Sequence, residues 1–128
     1  MKNNLKDSYR NVKIKYAKEL IEILKDIDYK DMNSVLEGYK VEMEIIGLVN
    51  MLNLNELEEL FGRTSRNKDI LLQIFLKEIS FTDALFDIEG DLAETLAHTS
   101  NMIRVFLSGY TMGRTSEDIF NQLEMGGR

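Results

Sequence analysis

The sequence predicts an all-α fold, a compact bundle of five or six helices with one long central helix over about 82–109. Three observations carry that prediction. Apolar residues recur in alternating steps of three and four along most of the chain, the period of a helix face turned to a core. No segment alternates apolar with polar residues, and no Asn-Gly or Asp-Gly pair marks a hairpin. Proline is absent from all 128 residues, so no ring removes a backbone donor from a helical ladder. One domain, 1–128, is expected, since 44% hydrophobic content is enough for a core at this length. Fraying is expected at 1–4 and 125–128.

Tyr9, Val12, Tyr16, Leu20, Ile23 and Ile27 define the first amphipathic helix, ending near Tyr29. Ser34 and Glu37 have the spacing of a capping box, which places the start of the second helix there. Its main stripe is Leu36, Tyr39, Met43 and Ile46, while Val41, Ile45 and Leu48 cover much of the other side. An apolar surplus of that kind predicts a homodimer buried through Val41, Ile45 and Leu48. Asn53 and Glu56 repeat the box for a short third helix, which Gly62 can end. A fourth helix, about 67–79, is dense in Ile, Leu and Phe and is expected to be largely buried. Ser80 or Thr82 then caps the long helix, and Thr115 to Asp118 open a last short one.

The long helix is expected to present three faces. Leu85, Ile88, Leu92, Leu96, Thr99, Ile103, Phe106 and Tyr110 form a core stripe, and Gly90, Ala93, Ala97 and Ser100 a stripe of small residues. Opposite them lie Asp83, Asp87, Asp91, Glu94 and His98, in a stretch from Glu78 to Met102 that holds no Lys or Arg. This acidic face is the expected partner-binding surface, and the expectation depends on one rod running unbroken past Gly90. Glu89 falls beside the core stripe and is expected to need a partner such as Tyr16, Tyr39 or Lys40.

Composition excludes several classes. Without cysteine there is no disulfide, thiolate metal site or cysteine nucleophile, in keeping with a reducing cytoplasm. No apolar run is long enough to span a membrane and no leader opens the chain, so a soluble cytoplasmic protein is expected. A formal net charge of −6 argues against nucleic acid as a partner. Residues 1–30 nevertheless hold eight Lys or Arg against five acids, enough to orient the first helix on the acidic face.

Two further constellations stand out. Gly62-Arg63-Thr64-Ser65 recurs as Gly113-Arg114-Thr115-Ser116, each at a helix start, where unpaired N–H groups, an arginine and hydroxyls can hold an anion. The simpler reading is punctuation used twice, with glycine stopping one helix and a hydroxyl capping the next. The acids also admit a Mg²⁺ site at Glu56, Glu59, Asp87 and Asp91. Glu56-Leu57-Glu58-Glu59 resembles the Glu-x-x-Glu half of the all-α nucleoside triphosphate pyrophosphohydrolases of the MazG type, but the Glu-x-x-Asp half is missing downstream. His98, the sole histidine, has no nucleophile or second imidazole to work with and reads as a surface residue.

The functional expectation is therefore a small acidic, non-enzymatic interaction protein: a regulator, inhibitor or assembly factor that engages a basic surface on another protein. Lys-, Asn- and Ile-rich composition suggests an AT-rich genome, hence a bacterium or mobile element. The alternative is a Mg-dependent nucleoside triphosphate pyrophosphohydrolase-like enzyme.

Overall fold

Capping chemistry divides the chain into its elements. In the structure, a computed structural model, the backbone of residues 2–126 and the side chains of 12–124 are described. Among them all regular structure is helical: α1 (Lys2–Leu24), α2 (Met32–Met51), α3 (Leu54–Phe61), α4 (Ser65–Phe75), α5 (Phe81–Ala84), a 3-10 turn (Leu85–Asp87), α6 (Asp91–Thr111) and α7 (Ser116–Gly126). That is seven α-helices, more than the five or six expected. Tyr9 and the ends expected to fray lie outside the described side chains.

α1 and α2 form a helical hairpin, and α6 packs against both. The core runs through this trio. Ala17, Ile21 and Leu24 of α1, Val35, Ile45 and Val49 of α2, and Leu96, Ile103 and Phe106 of α6 are each at most 1% exposed. Close approach is possible because Gly38 leaves α2 without a side chain where Ile27 packs; a Cβ there would lie 2.3 Å from the Ile27 methyl. Phe106 is the aromatic centre, with ring centroids 5.1 Å from Tyr29 and 4.9 Å from Phe120. α3 joins α1, α4 joins α3, and α7 lies on the C-terminal half of α6.

The long central helix over 82–109 is not there. α5 ends after four residues, Ile88 is extended, and Gly90 takes φ +123° as the N-cap of α6. Two causes fix the break. A Cβ at Gly90 would lie 3.2 Å from the Phe61 carbonyl, in a backbone region that side chains rarely enter. Asn67, with no accessible surface, also holds the bend from α4: its Oδ1 accepts from Glu89 N at 2.8 Å and its Nδ2 donates to Glu89 O at 2.9 Å. The same amide reaches Phe61 O at 3.3 Å, so one side chain ties the end of α3 to the approach to α6. Arg66 adds a bond from Nε to Asp87 O at 3.0 Å. Glu89, expected beside a core stripe, therefore sits half-buried in the bend and meets Asn67 through its backbone.

The facing of α2 is likewise reversed. Ile45 has no accessible surface and Val41 and Leu48 pack on the core, whereas Leu36, Tyr39 and Met43 are 40–41% exposed. Of the dimer face expected at Val41, Ile45 and Leu48, Ile45 is thus buried within the chain, and Val41 and Leu48 are partly buried against its core. α2 also starts before the predicted box, with Asp31 Oδ1 accepting from Asn33 N at 3.1 Å. Ser34 turns back instead to accept from Asp28 N at 2.9 Å. In and after α4, Leu72, Phe75 and Leu76 are 41–52% exposed, so that helix is buried on one side only.

Candidate functional site

Breaking the rod redistributes the predicted acidic face. Asp83 lies in the first turn of α5 and Asp87 in the 3-10 turn, while Asp91 and Glu94 open α6 and His98 follows one turn later. All five are exposed. Acids in a first turn complement the positive end of the helix dipole, so Asp91 and Glu94 help start α6 after the break. No side-chain ion pair forms at Asp83, Asp87, Asp91 or Glu94 among the described residues.

Between Asp83 and Asp87 the bend also exposes Phe86 at 51%. A half-exposed aromatic ring on a backbone held by Asn67 and Arg66, with carboxylates on both sides, has the make-up of an interface anchor with a charged rim. Phe86 is absent from the predicted stripe because a continuous helix assigns it no special face. Glu94 and His98 line a cleft of about 440 Å³ with Leu24, Lys25 and Tyr29 at and just after the end of the first helix, where Lys25 pairs with Glu22.

The Mg²⁺ reading meets a different arrangement. Glu56 is 3% exposed and committed twice, its Oε1 accepting from Asn53 N at 3.0 Å in a complete capping box and its Oε2 lying 2.9 Å from Lys13 Nζ. Among the described residues no three acids or histidines gather closely enough to hold a metal ion, so Glu56, Glu59, Asp87 and Asp91 are not brought together.

At the repeated turns the hydroxyls act as caps. Thr64 Oγ1 accepts from Asn67 N at 3.2 Å, and Thr115 Oγ1 from Asp118 N at 3.2 Å, with Asp118 Oδ2 returning to Thr115 N at 3.3 Å. Arg63 pairs with Glu58 at 3.3 Å, and Arg114 donates to the Gln122 side chain. Ser65 is the exposed first residue of α4. The Ser116 hydroxyl lies 3.0 Å from Lys30 O and 2.6 Å from the Tyr110 hydroxyl, and its single proton serves one of the two at a time. The first turn is tied through Asn67 to the start of α6 and the second follows its end. A 21-residue helix separates those points by about 31 Å, so the two turns do not form one site.

The buried acid is one that sequence reasoning passed over. Glu42 is 2% exposed at the α2/α6 seam, and its Oε2 has no hydrogen-bond partner among the described residues. Burial pushes its carboxyl above the ordinary value, while a hydrogen bond with Ser100 and the charge of Arg104 pull the other way. Tyr29 is raised too, by burial first and then by Glu42. The signal lay in the series Val35, Gly38, Glu42, Ile45 and Val49, which has core spacing but contains a glycine and an acid.

No helix among the described residues is long and apolar enough to cross a membrane. Comparison with family models, curated proteins and solved structures finds no match, so any functional reading stands on this geometry.

Proposed function

We propose that the chain is a non-enzymatic protein-interaction module, a cytoplasmic regulator, inhibitor or assembly factor of a bacterium or mobile element, that engages a basic partner surface through the bend between α5 and α6. The observation that supports this reading is Phe86, half-exposed on a clamped turn, with Asp83 and Asp87 exposed on the same turn region and Asp91 and Glu94 exposed in the first turn of α6 that follows. The ring supplies apolar area to a partner pocket, and the carboxylates steer an approaching Lys- or Arg-rich rim. The unbroken rod on which the acidic-stripe expectation depended is absent, so the reading rests instead on an acidic corner, Phe86 and the exposed acids that flank the bend.

Capture from cells of the native host with the full chain tests it. Phe86→Ala should cut retention of the partner about tenfold at any salt concentration, the loss of one anchor. Reversal of Asp87, Asp91 and Glu94 to Lys should weaken capture most at low salt. If both variants retain every partner of the unaltered chain, the corner is not the binding site.

A further inference from the structure

A second surface, on the far side of the α1/α2 hairpin, carries an inference independent of the acidic corner. Val12, Tyr16 and Ile23 lie along one stripe of α1 and are 62%, 40% and 51% exposed. Leu36, Met43 and Met51 lie along a stripe of α2 and are 40%, 41% and 71% exposed. The stripes are neighbours, because the Tyr16 hydroxyl donates to the Glu44 carboxylate across the hairpin, next to Met43. The part of α1 whose side chains are described, 12–24, is about 20 Å long and α2 about 30 Å, so at about 10 Å of width each they present roughly 500 Å² in projection, of the order of what each partner contributes to a stable dimer.

Gly47 is the second observation. It sits within α2 between Met43 and Met51, on the same stripe, and a Cβ placed on it would meet nothing within 4 Å. Glycine inside a helix costs about 0.5–1 kcal/mol relative to alanine, and nothing within the chain requires it at that position. Gly38 and Gly109 are different, since a Cβ on either would run into an isoleucine of the chain itself. A backbone approaching from outside gives Gly47 the same reason.

We propose that a second copy of this chain covers the face, with the two α1/α2 hairpins packed about a two-fold axis and Gly47 at the closest approach. Charge selects a copy over a basic or acidic partner. The chain as a whole carries −6, yet the exposed charges beside the stripes are mixed and partly paired, Lys40 with Glu37 and Lys25 with Glu22, alongside Lys15, Glu19 and Glu44, so repulsion between two copies is largely offset there. Spacing agrees, because Leu36, Lys40, Met43, Gly47 and Met51 recur in steps of four and three and so form one continuous ridge along α2 that can pack against another helix.

Sedimentation of the full chain from micromolar to millimolar concentration is the test, with Ile23→Glu and Met43→Glu as surface variants that leave the core intact. The expected result is a concentration-dependent dimer, and at least a tenfold rise in dimer Kd for either variant, with helicity unchanged by circular dichroism. Gly47→Leu should also weaken the dimer while leaving the monomer folded. The corner variant reversed at Asp87, Asp91 and Glu94 should dimerise as before, which separates this proposal from the preceding one. A monomer at every concentration overturns the proposal, including the case in which a different protein proves to occupy the face. So does a dimer indifferent to all three substitutions.

Discussion

Replacing Asn67 with alanine tests whether one amide holds the bend. The substitution removes two well-formed bonds to Glu89, at 2.8 and 2.9 Å, and a longer one to Phe61 O at 3.3 Å. A net hydrogen bond contributes about 0.5–1.5 kcal/mol, and a group left unpaired away from water costs about 1–3 kcal/mol. The Glu89 backbone is half-buried, so water can recover part of that loss, and the expected destabilisation is about 2–4 kcal/mol. At this chain length a kcal/mol corresponds to about 3–4 °C, giving a melting temperature lower by roughly 6–16 °C. Urea denaturation measures the first quantity. Hydrogen exchange measured at the Glu89 amide localises it, since that proton loses its acceptor and should exchange much faster while amides in the middle of α1 respond only to the global loss. Asn67→Asp gives a control with nearly the same shape: it keeps an acceptor for Glu89 N but places a carboxylate against the carbonyls of Phe61 and Glu89, so it should be at least as harmful at neutral pH and recover in acid. A loss under about 0.5 kcal/mol for the alanine variant, with exchange at Glu89 unchanged, would refute the clamp.

Three other outcomes follow from the same geometry. Gly90→Ala should destabilise by about 1–3 kcal/mol, because φ +123° and the Phe61 carbonyl both oppose a side chain, and thermal denaturation reads the loss directly. Glu42→Gln should stabilise the protein at neutral pH: the acid's folded pKa lies above its ordinary 4.5, so the native state holds the proton more tightly, and stability is full below that value and lost as pH rises through the folded pKa. Urea denaturation from pH 4 to 8 should show that decline in the parent chain and a flatter profile in the variant. Mg²⁺ should leave the melting temperature unchanged, because Glu56 is engaged by Lys13 and by the start of α3, whereas Glu56→Ala should cost about 1–2 kcal/mol as both contacts are lost.

The sequence was most legible where interactions are local. Asn53 with Glu56, Thr64, Ser80 and Thr115 were each expected as helix starts, and each accepts a backbone N–H within three residues of itself. The break before α6 was hidden because its determinants are distant in the chain. Gly90 falls among small residues spaced for a helix face, and only the Phe61 carbonyl and the Asn67 amide, more than 20 residues upstream, make an extended bend the better solution. The reversed facing of α2 has another cause. Its buried stripe includes Gly38 and Glu42 and so reads as the less apolar one, although the glycine admits Ile27 and the glutamate meets Ser100. Hydropathy therefore favoured Leu36, Tyr39 and Met43, which face outward. The acids of the candidate corner were all read correctly as exposed, but Phe86 among them required the bend to be known.

Around the Tyr110 hydroxyl, two distant parts of the chain, 29–30 and 110–116, are fastened at one point. It donates to Tyr29 O at 3.0 Å and meets Ser116, whose own hydroxyl reaches Lys30 O at 3.0 Å. The tail is thereby latched to a loop more than 80 residues earlier. The loop after α1, the end of α6 and the start of α7 thus hold one another in place through side-chain oxygens and two backbone carbonyls. Removing the Ser116 hydroxyl would therefore loosen the start of α7 on that loop while leaving the buried centre shared by α1, α2 and α6 in place.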